Sequence, residues 1–277
     1  MKGLRVGNFG PQSFLVIWGL MTTLPLLWVF VSGFKSDAEI LNEPWGLPEQ
    51  LRLDNFARAW THGHIGQYFL NTAIVLSVSL TLTMLLGATA AYALARYKFP
   101  GNRLVNFTFV GGMMFPVFLA LVPLFFVVKQ MGLLNTLPGL MVVYTAYSLP
   151  FTVFFLHAFF RTLPTAIGEA AMIDGCGPFA MFFRVMLPMA RPGLISVGIF
   201  NLLGQWNQYL LPVVLVSNKE ENYVLAQGLA ALAVNEGYRG DYSRLFAGLS
   251  LAIIPVLVVY AVFQRQVQSG LTAGQMK

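Results

Sequence analysis

The sequence predicts an all-α membrane protein with six membrane-crossing helices, and three observations carry that expectation. Hydrophobic residues make up 57% of the 277-residue chain and charged residues only 10%, against about a quarter charged in a soluble domain. Too few polar side chains exist to clothe a water-soluble surface, so lipid must solvate most of the chain. Six segments reach the roughly 20 apolar residues that a helix needs to cross the hydrocarbon core. None of the six contains an acidic residue.

In chain order, residues 1–13 carry Lys2 and Arg5 and precede a first span at residues 14–34. That span is too long for the apolar part of a secretory signal, and no small-x-small cleavage pattern follows it, so it is expected to be retained. Residues 35–67 form a first loop with Pro44, Trp45, Pro48 and Trp60. A core membrane domain then covers residues 68–264, with spans at 68–95, 104–128, 139–160, 193–216 and 245–264. Within it lie two long connections, 161–192 and 217–244, and a polar tail follows at 265–277. Pro25, Pro116, Pro123, Pro150, Pro212 and Pro255 fall inside spans and predict kinks, which neighbouring helices make tolerable in lipid.

Six spans put both termini on one side. If that side is the cytoplasm, ten of the 17 Lys and Arg residues lie inside, with Glu169 and Asp174 as the inside acids. Basic residues favour cytoplasmic flanks, so the expected topology is N-in, C-in. The basic excess then belongs to span flanks and not to a nucleic-acid surface.

Several chemistries are excluded on the same page. A single cysteine, Cys176, allows no internal disulfide framework. His62 and His64 have no further ligands to complete a metal site. His157 is a lone histidine near the end of span four, expected to pack rather than relay protons. No G-x-x-x-x-G-K-[ST] loop occurs, so the chain has no phosphate cradle for ATP. A membrane enzyme would need a histidine–acid or metal constellation, and a proton-coupled carrier inverted repeats or ionisable pairs within spans. Neither pattern is present.

The connection 161–192 has readable chemistry. Pro164 suits the first position of a helix and Gly175 the position just past its end. Gly177-Pro178 restarts a second helix, in which Phe179, Phe182, Phe183 and Met186 form one apolar stripe. Leu187-Pro188 and Pro192 are expected to end it. The two helices read as a docking element on the cytoplasmic face; the competing reading is an amphipathic loop lying on the bilayer.

The spacing Glu169-Ala170-Ala171, three residues, Gly175, nine residues, Val185, one residue, Leu187-Pro188 resembles the EAA loop of binding-protein-dependent ABC importer permeases. The similarity extends over nearly the whole chain. Ser32-Gly33-Phe34-Lys35, Asn71-Thr72, Ala90 to Arg96 with Phe99-Pro100-Gly101, Gly132 to Thr136, Trp206-Asn207 and the tail Gly270 to Gly274 look like the carbohydrate-uptake class, in particular the second permease subunit of maltose-type importers. Gly168 departs from it, standing where a residue that favours helix is usual; the cost is roughly 1 kcal/mol relative to Ala.

The resemblance implies the type I ABC importer permease fold and a role as half of the pathway for a mono- or oligosaccharide. It implies three kinds of partner besides membrane lipid: a second permease subunit in a heterodimer, two cytoplasmic ATPase subunits that use ATP and Mg, and an extracytoplasmic sugar-binding protein or lipoprotein. The chain itself would bind no cofactor, perform no catalysis and reside in a bacterial or archaeal cell membrane. Glu169, Ala170, Ala171, Asp174, Gly175, Leu187 and Pro188 would couple to the ATPase, Glu169 facing a basic or backbone donor and Ala170 and Ala171 permitting close approach. The connection 217–244 would probe the binding protein, and the tail would either reach the ATPase or be disordered. A permease for another small polar solute, such as a polyamine or polyol, is the rival.

Polar residues within spans are costly and tend to face a cavity or the bundle interior. Span five is richest in them: Asn201, Gln205 and Gln208 share one helical face, with Trp206, Asn207 and Tyr209 beside them. Neutral amides and aromatic faces suit sugar hydroxyls. Competing readings are an interfacial aromatic belt for Trp206 and Tyr209 and amides that bridge to the partner permease, where maltose-type importers mainly hold the sugar. Tyr144, Tyr147 and Ser148 of span four are weaker candidates, expected mostly to pack.

Overall fold

A computed structural model describes residues 9–272, with no strand among them. Lys2 and Arg5, which entered the topology argument, and the tail from Ala273 onward lie outside the described residues. Contacts divide the chain into two units, residues 1–67 with 228–255 and residues 68–227 with 256–277.

In the first unit, Phe9–Ser32 (α1) is apolar, and its first two-thirds are exposed on every side. Such a helix is at rest only in hydrocarbon. The connection after it is ordered by polar contacts. The buried Lys35 ammonium donates to the carbonyls of Glu43 and Pro44 at 2.9 and 3.2 Å. Ser36 and Glu39 form a capping box that starts Asp37–Asn42 (α2). Hydrogen bonds from the Ser36 side chain and backbone lower the Glu39 carboxyl to about 2. A second short helix, Asp54–Thr61 (α3), carries Asn55, whose amide donates to the carbonyls of Gly33 and Lys35 at 3.0 and 2.9 Å. Arg58 pairs with Asp241 at 3.1 Å, and Arg244 pairs with Asp241 and Glu236.

Most of Ile65–Arg96 (α4) belongs to the second unit. Span three is not one straight helix: Asn102–Met114 (α5) and Val117–Gln130 (α6) meet at 106°. The cause is local. A residue before proline is pushed into extended backbone, and Phe115 and Pro116 both adopt it, with ψ of 121° and 122°. Leu137–Thr162 (α7) continues through Pro150 as one helix. Then come Thr165–Ile173 (α8), Pro178–Ala180 (α9), a π turn at Met181–Met186 and Leu187–Met189 (α10). Leu187-Pro188 therefore does not end the second helix of the connection; the chain turns by 76° at Ala190, where Arg191–Trp206 (α11) begins.

Span five is also broken. After α11 the helix resumes only at Leu210–Leu215 (α12). Pro212 has no N–H to offer the carbonyl four residues back, and its ring crowds that turn. The Asn207 amide meanwhile bonds the Leu203 carbonyl at 2.8 Å, competing with the backbone. The connection 217–244 is largely helical, holding Leu225–Arg239 (α13) ahead of Tyr242–Thr272 (α14). Among the described residues four helices are long and apolar enough to cross a membrane, or up to six when each bent pair counts as one span.

Candidate functional site

Two arrangements in the second unit carry the residues singled out by the sequence. The first is the hairpin from α8 to α10. Leu163 and Pro164 are extended and turn the chain out of α7, so Pro164 caps α8 from outside instead of occupying its first turn. The Arg96 guanidinium at the end of α4 donates to the Leu163 carbonyl at 2.6 Å and holds that corner. At the other end the Cys176 and Gly175 N–H groups bond the carbonyls of Ala171 and Met172 at 2.9 and 3.1 Å. That pair of bonds is a Schellman motif, which needs a left-handed residue; Gly175 supplies it with φ +81°. Asp174 is the exposed C-cap of α8.

Gly168 and Ala171 form the buried face of α8. A Cβ at Gly168 would stand 2.9 Å from the Met186 methyl, so α8 lies close on the π turn and only the flexible end of Met186 would have to shift to admit a methyl. Ala171 belongs to the same apolar cluster, with Tyr92, Phe160, Phe182 and Met186. It therefore faces the chain's own core, and of the two alanines only Ala170 offers a small outward surface. The expected Phe179–Met186 stripe is split. A π turn winds more loosely than an α-helix, so Phe182 and Met186 are buried while Phe179 is 83% exposed and Phe183 half exposed. Leu187 is half-buried against the cluster and Pro188 is exposed. The outward face of the hairpin thus joins Glu169 and Ala170 to Met172, Ile173 and Phe179, with Ile173 87% exposed.

The second arrangement is a polar layer joining α4, α7 and α11. Gln205 accepts from Ser79 Oγ at 2.6 Å and donates to Ser148 Oγ at 2.9 Å. Asn201 donates to Thr152 Oγ1 at 2.8 Å, which donates on to the Ser148 carbonyl at 2.8 Å. All five of these side chains are buried. Beside the layer opens a cavity of about 350 Å³, lined among others by Tyr144, Tyr147, Ser148, Asn201, Gln205 and Gln208. The three polar residues of span five do share a face, and the span-four residues join them. Trp206 instead stacks edge-on against Phe69 with ring centres 5.5 Å apart. Asn207 closes the end of α11, and Tyr209 is exposed in the break; neither lines the cavity.

Asn71, Thr72 and Asn135, which carry part of the family resemblance, have a structural partner of their own. They clamp residues 215–225. The Asn71 amide donates to the carbonyls of Glu221 and Tyr223 at 2.7 and 2.9 Å, and Thr72 Oγ1 accepts from the Leu225 N–H at 2.7 Å. Asn135, at φ +61°, accepts from the N–H groups of Ser217 and Asn218 through Oδ1 at 3.0 and 3.1 Å. An amide in left-handed backbone was the available signal, since Asn is one of few residues at ease there.

Residues 83–272 match the family described as binding-protein-dependent transport system inner membrane component. The chain belongs to that family. A member of it is a multi-pass transport permease and not an enzyme, and it works with an ATPase and a binding protein. Over 266 residues the chain is 51% identical to the diacetylchitobiose uptake system permease protein NgcG of Streptomyces coelicolor, covering 96% of this chain and 88% of that one. It is 30% identical over 267 residues to the trehalose transport system permease protein SugB of Mycobacterium tuberculosis, covering 94% and 97%. The crystal structure of a bacterial ABC transporter involved in import of the acidic polysaccharide alginate superposes with a TM-score of 0.82 at 22% identity, covering 96% of this chain and 99% of that one. That likeness establishes the fold of an ABC importer permease.

Proposed function

We propose that this chain forms one half of the membrane pathway of an ATP-driven importer for a small neutral oligosaccharide, and that diacetylchitobiose is the first sugar to test. The 51% identity to NgcG and the 32% identity to the diacetylchitobiose permease protein DasC of the same organism support the sugar. The other half is a second permease. Both termini face the cytoplasm, where two ATPase subunits use ATP and Mg, and a binding protein delivers the sugar from outside. In this reading the hairpin α8–α10 seats in a cleft of one ATPase subunit.

The observation that carries the reading is the outward face of the hairpin. Exposed Met172 and Ile173 lie on the short α8, outside every candidate span, and exposed Phe179 opens the next short helix. An apolar patch rimmed by a carboxylate is unfavourable in water and favourable against a complementary partner. Glu169 gives the patch its direction, through a charge-assisted bond to a basic or backbone donor. Closure of the ATPase pair on ATP then moves the hairpin, and with it the helices packed on it, between two discrete packings.

The test uses proteoliposomes containing both permeases and the ATPase subunits, with binding protein and labelled diacetylchitobiose. Glu169→Lys and Gly175→Asp are expected to abolish ATP-dependent uptake while the chain still inserts in the membrane. Normal coupled uptake in either variant, or uptake without any ATPase subunit, sinks the assignment.

A further inference from the structure

We propose that the 350 Å³ cavity is a subsite for one uncharged sugar ring in this chain's own half of the pathway. The proposal rests on the importer reading above and adds which groups hold the ligand and which only hold the walls.

The division follows from counting hydrogen bonds. Asn201 and Gln205 look in sequence like the gripping residues, yet Gln205 is engaged at both ends of its amide and Asn201 through its amino group. Gln205 uses its oxygen on Ser79 and one N–H on Ser148, and Asn201 uses one N–H on Thr152. They fasten α11 to α4 and α7 and fix the wall. Two other polar side chains lining the cavity, those of Gln208 and Tyr147, are uncommitted and within reach. The Gln208 side chain, in the break before α12, bonds to no described residue. Tyr144 is only 3% exposed, and its hydroxyl, without a partner among the described residues, is sealed within the wall. Tyr147 stands one turn further along α7, half exposed.

The lining contains no carboxylate, ammonium, guanidinium or imidazole. A charged guest would be unpaired at membrane depth, which is costly; a neutral one is not. Phe151 and Phe200 add aromatic surface to the same cavity. Aromatic walls with a few converging polar heads are the usual make-up of a small-molecule site, and the volume sits at the lower end of the roughly 300–1,000 Å³ such sites span. One ring with hydroxyls at its rim and an apolar face meets these demands.

Gly204 supplies the handle for a test. It lines the cavity, and a Cβ built there meets no atom within 4 Å. Larger side chains at 204 would consequently enter the cavity without displacing the protein. In the reconstituted transporter, uptake of labelled diacetylchitobiose is expected to decline in the order Gly204→Ala, Gly204→Val, Gly204→Phe, with assembly checked by copurification of the subunits. In a Cys176→Ser background, maleimide labelling of Gly204→Cys is expected to slow severalfold with saturating diacetylchitobiose and not with an equal concentration of an acidic disaccharide; Gln208→Cys serves as a second reporter. Uptake independent of side-chain size, labelling indifferent to the sugar in a preparation that accumulates it, or equal protection by the acidic disaccharide overturns the subsite and leaves the importer standing. A preparation that accumulates no sugar overturns the importer reading and this one with it.

Discussion

The hairpin α8–α10 and the clamped segment 215–225 are both connections between apolar helices, yet opposite forces hold them. The hairpin is fixed by contact: Gly168 against Met186, and Phe182 against Tyr92 at 5.0 Å between ring centres. The clamp is fixed by direction, with Asn71, Thr72 and Asn135 each bonding backbone groups of the segment. Packing has no preferred angle and tolerates sliding, whereas a hydrogen bond weakens steeply when bent. A part that must be pushed and stay intact suits the first kind; a part that must keep its shape suits the second. The hairpin also keeps apolar residues facing outward, and the clamp turns its polar groups inward on its own backbone.

Substitutions at three positions test this contrast, from the largest expected effect to the smallest. Phe182→Ala should cost about 3 kcal/mol of hairpin stability, the usual range for deleting a buried aromatic ring, and should be read as earlier thermal unfolding of the purified complex with ATPase stimulation lost. If unfolding is unchanged, contact does not hold the hairpin. Asn135→Ala should cost about 2 kcal/mol, because two N–H groups lose their acceptor and Ala is strained in left-handed backbone. Asn135→Gly relieves the strain alone, so hydrogen exchange of residues 215–225 should rise in both variants and more in Ala. Equal exchange in wild type and both variants would break the comparison from the other side. Gly168→Ala should lie within about 1 kcal/mol of wild type, since the Met186 methyl can swing aside and Ala favours helix by about that amount. Gly168→Phe cannot be so accommodated and should separate α8 from the π turn, seen as faster hydrogen exchange across Thr165–Ile173.

Much of the hairpin was legible in the residues, because its signals are local. Pro164, Gly175 and Pro178 bound the first helix whatever surrounds it, and Gly175 at φ +81° is the outcome. The inward side of that hairpin was not legible. Gly168 reads as a weak point until Met186 lies against it, and the Phe179–Met186 stripe assumed a winding that the chain does not adopt. The polar face of span five was readable as a period; the engagement of Asn201 and Gln205 was not, because Ser79, Ser148 and Thr152 come from other helices.

Composition and apolar length alone determined that lipid solvates this chain and that its elements are helices, since backbone groups in hydrocarbon must bond within their own segment. The fixed spacing of short motifs pointed to the family by themselves, as spacing along a chain survives without any fold in hand. Only the tertiary structure decided where the spans break, which amides brace the walls, and which groups are left over to meet a guest. Those are matters of partners distant in sequence: a hydroxyl is free or taken only with respect to atoms that folding brings beside it.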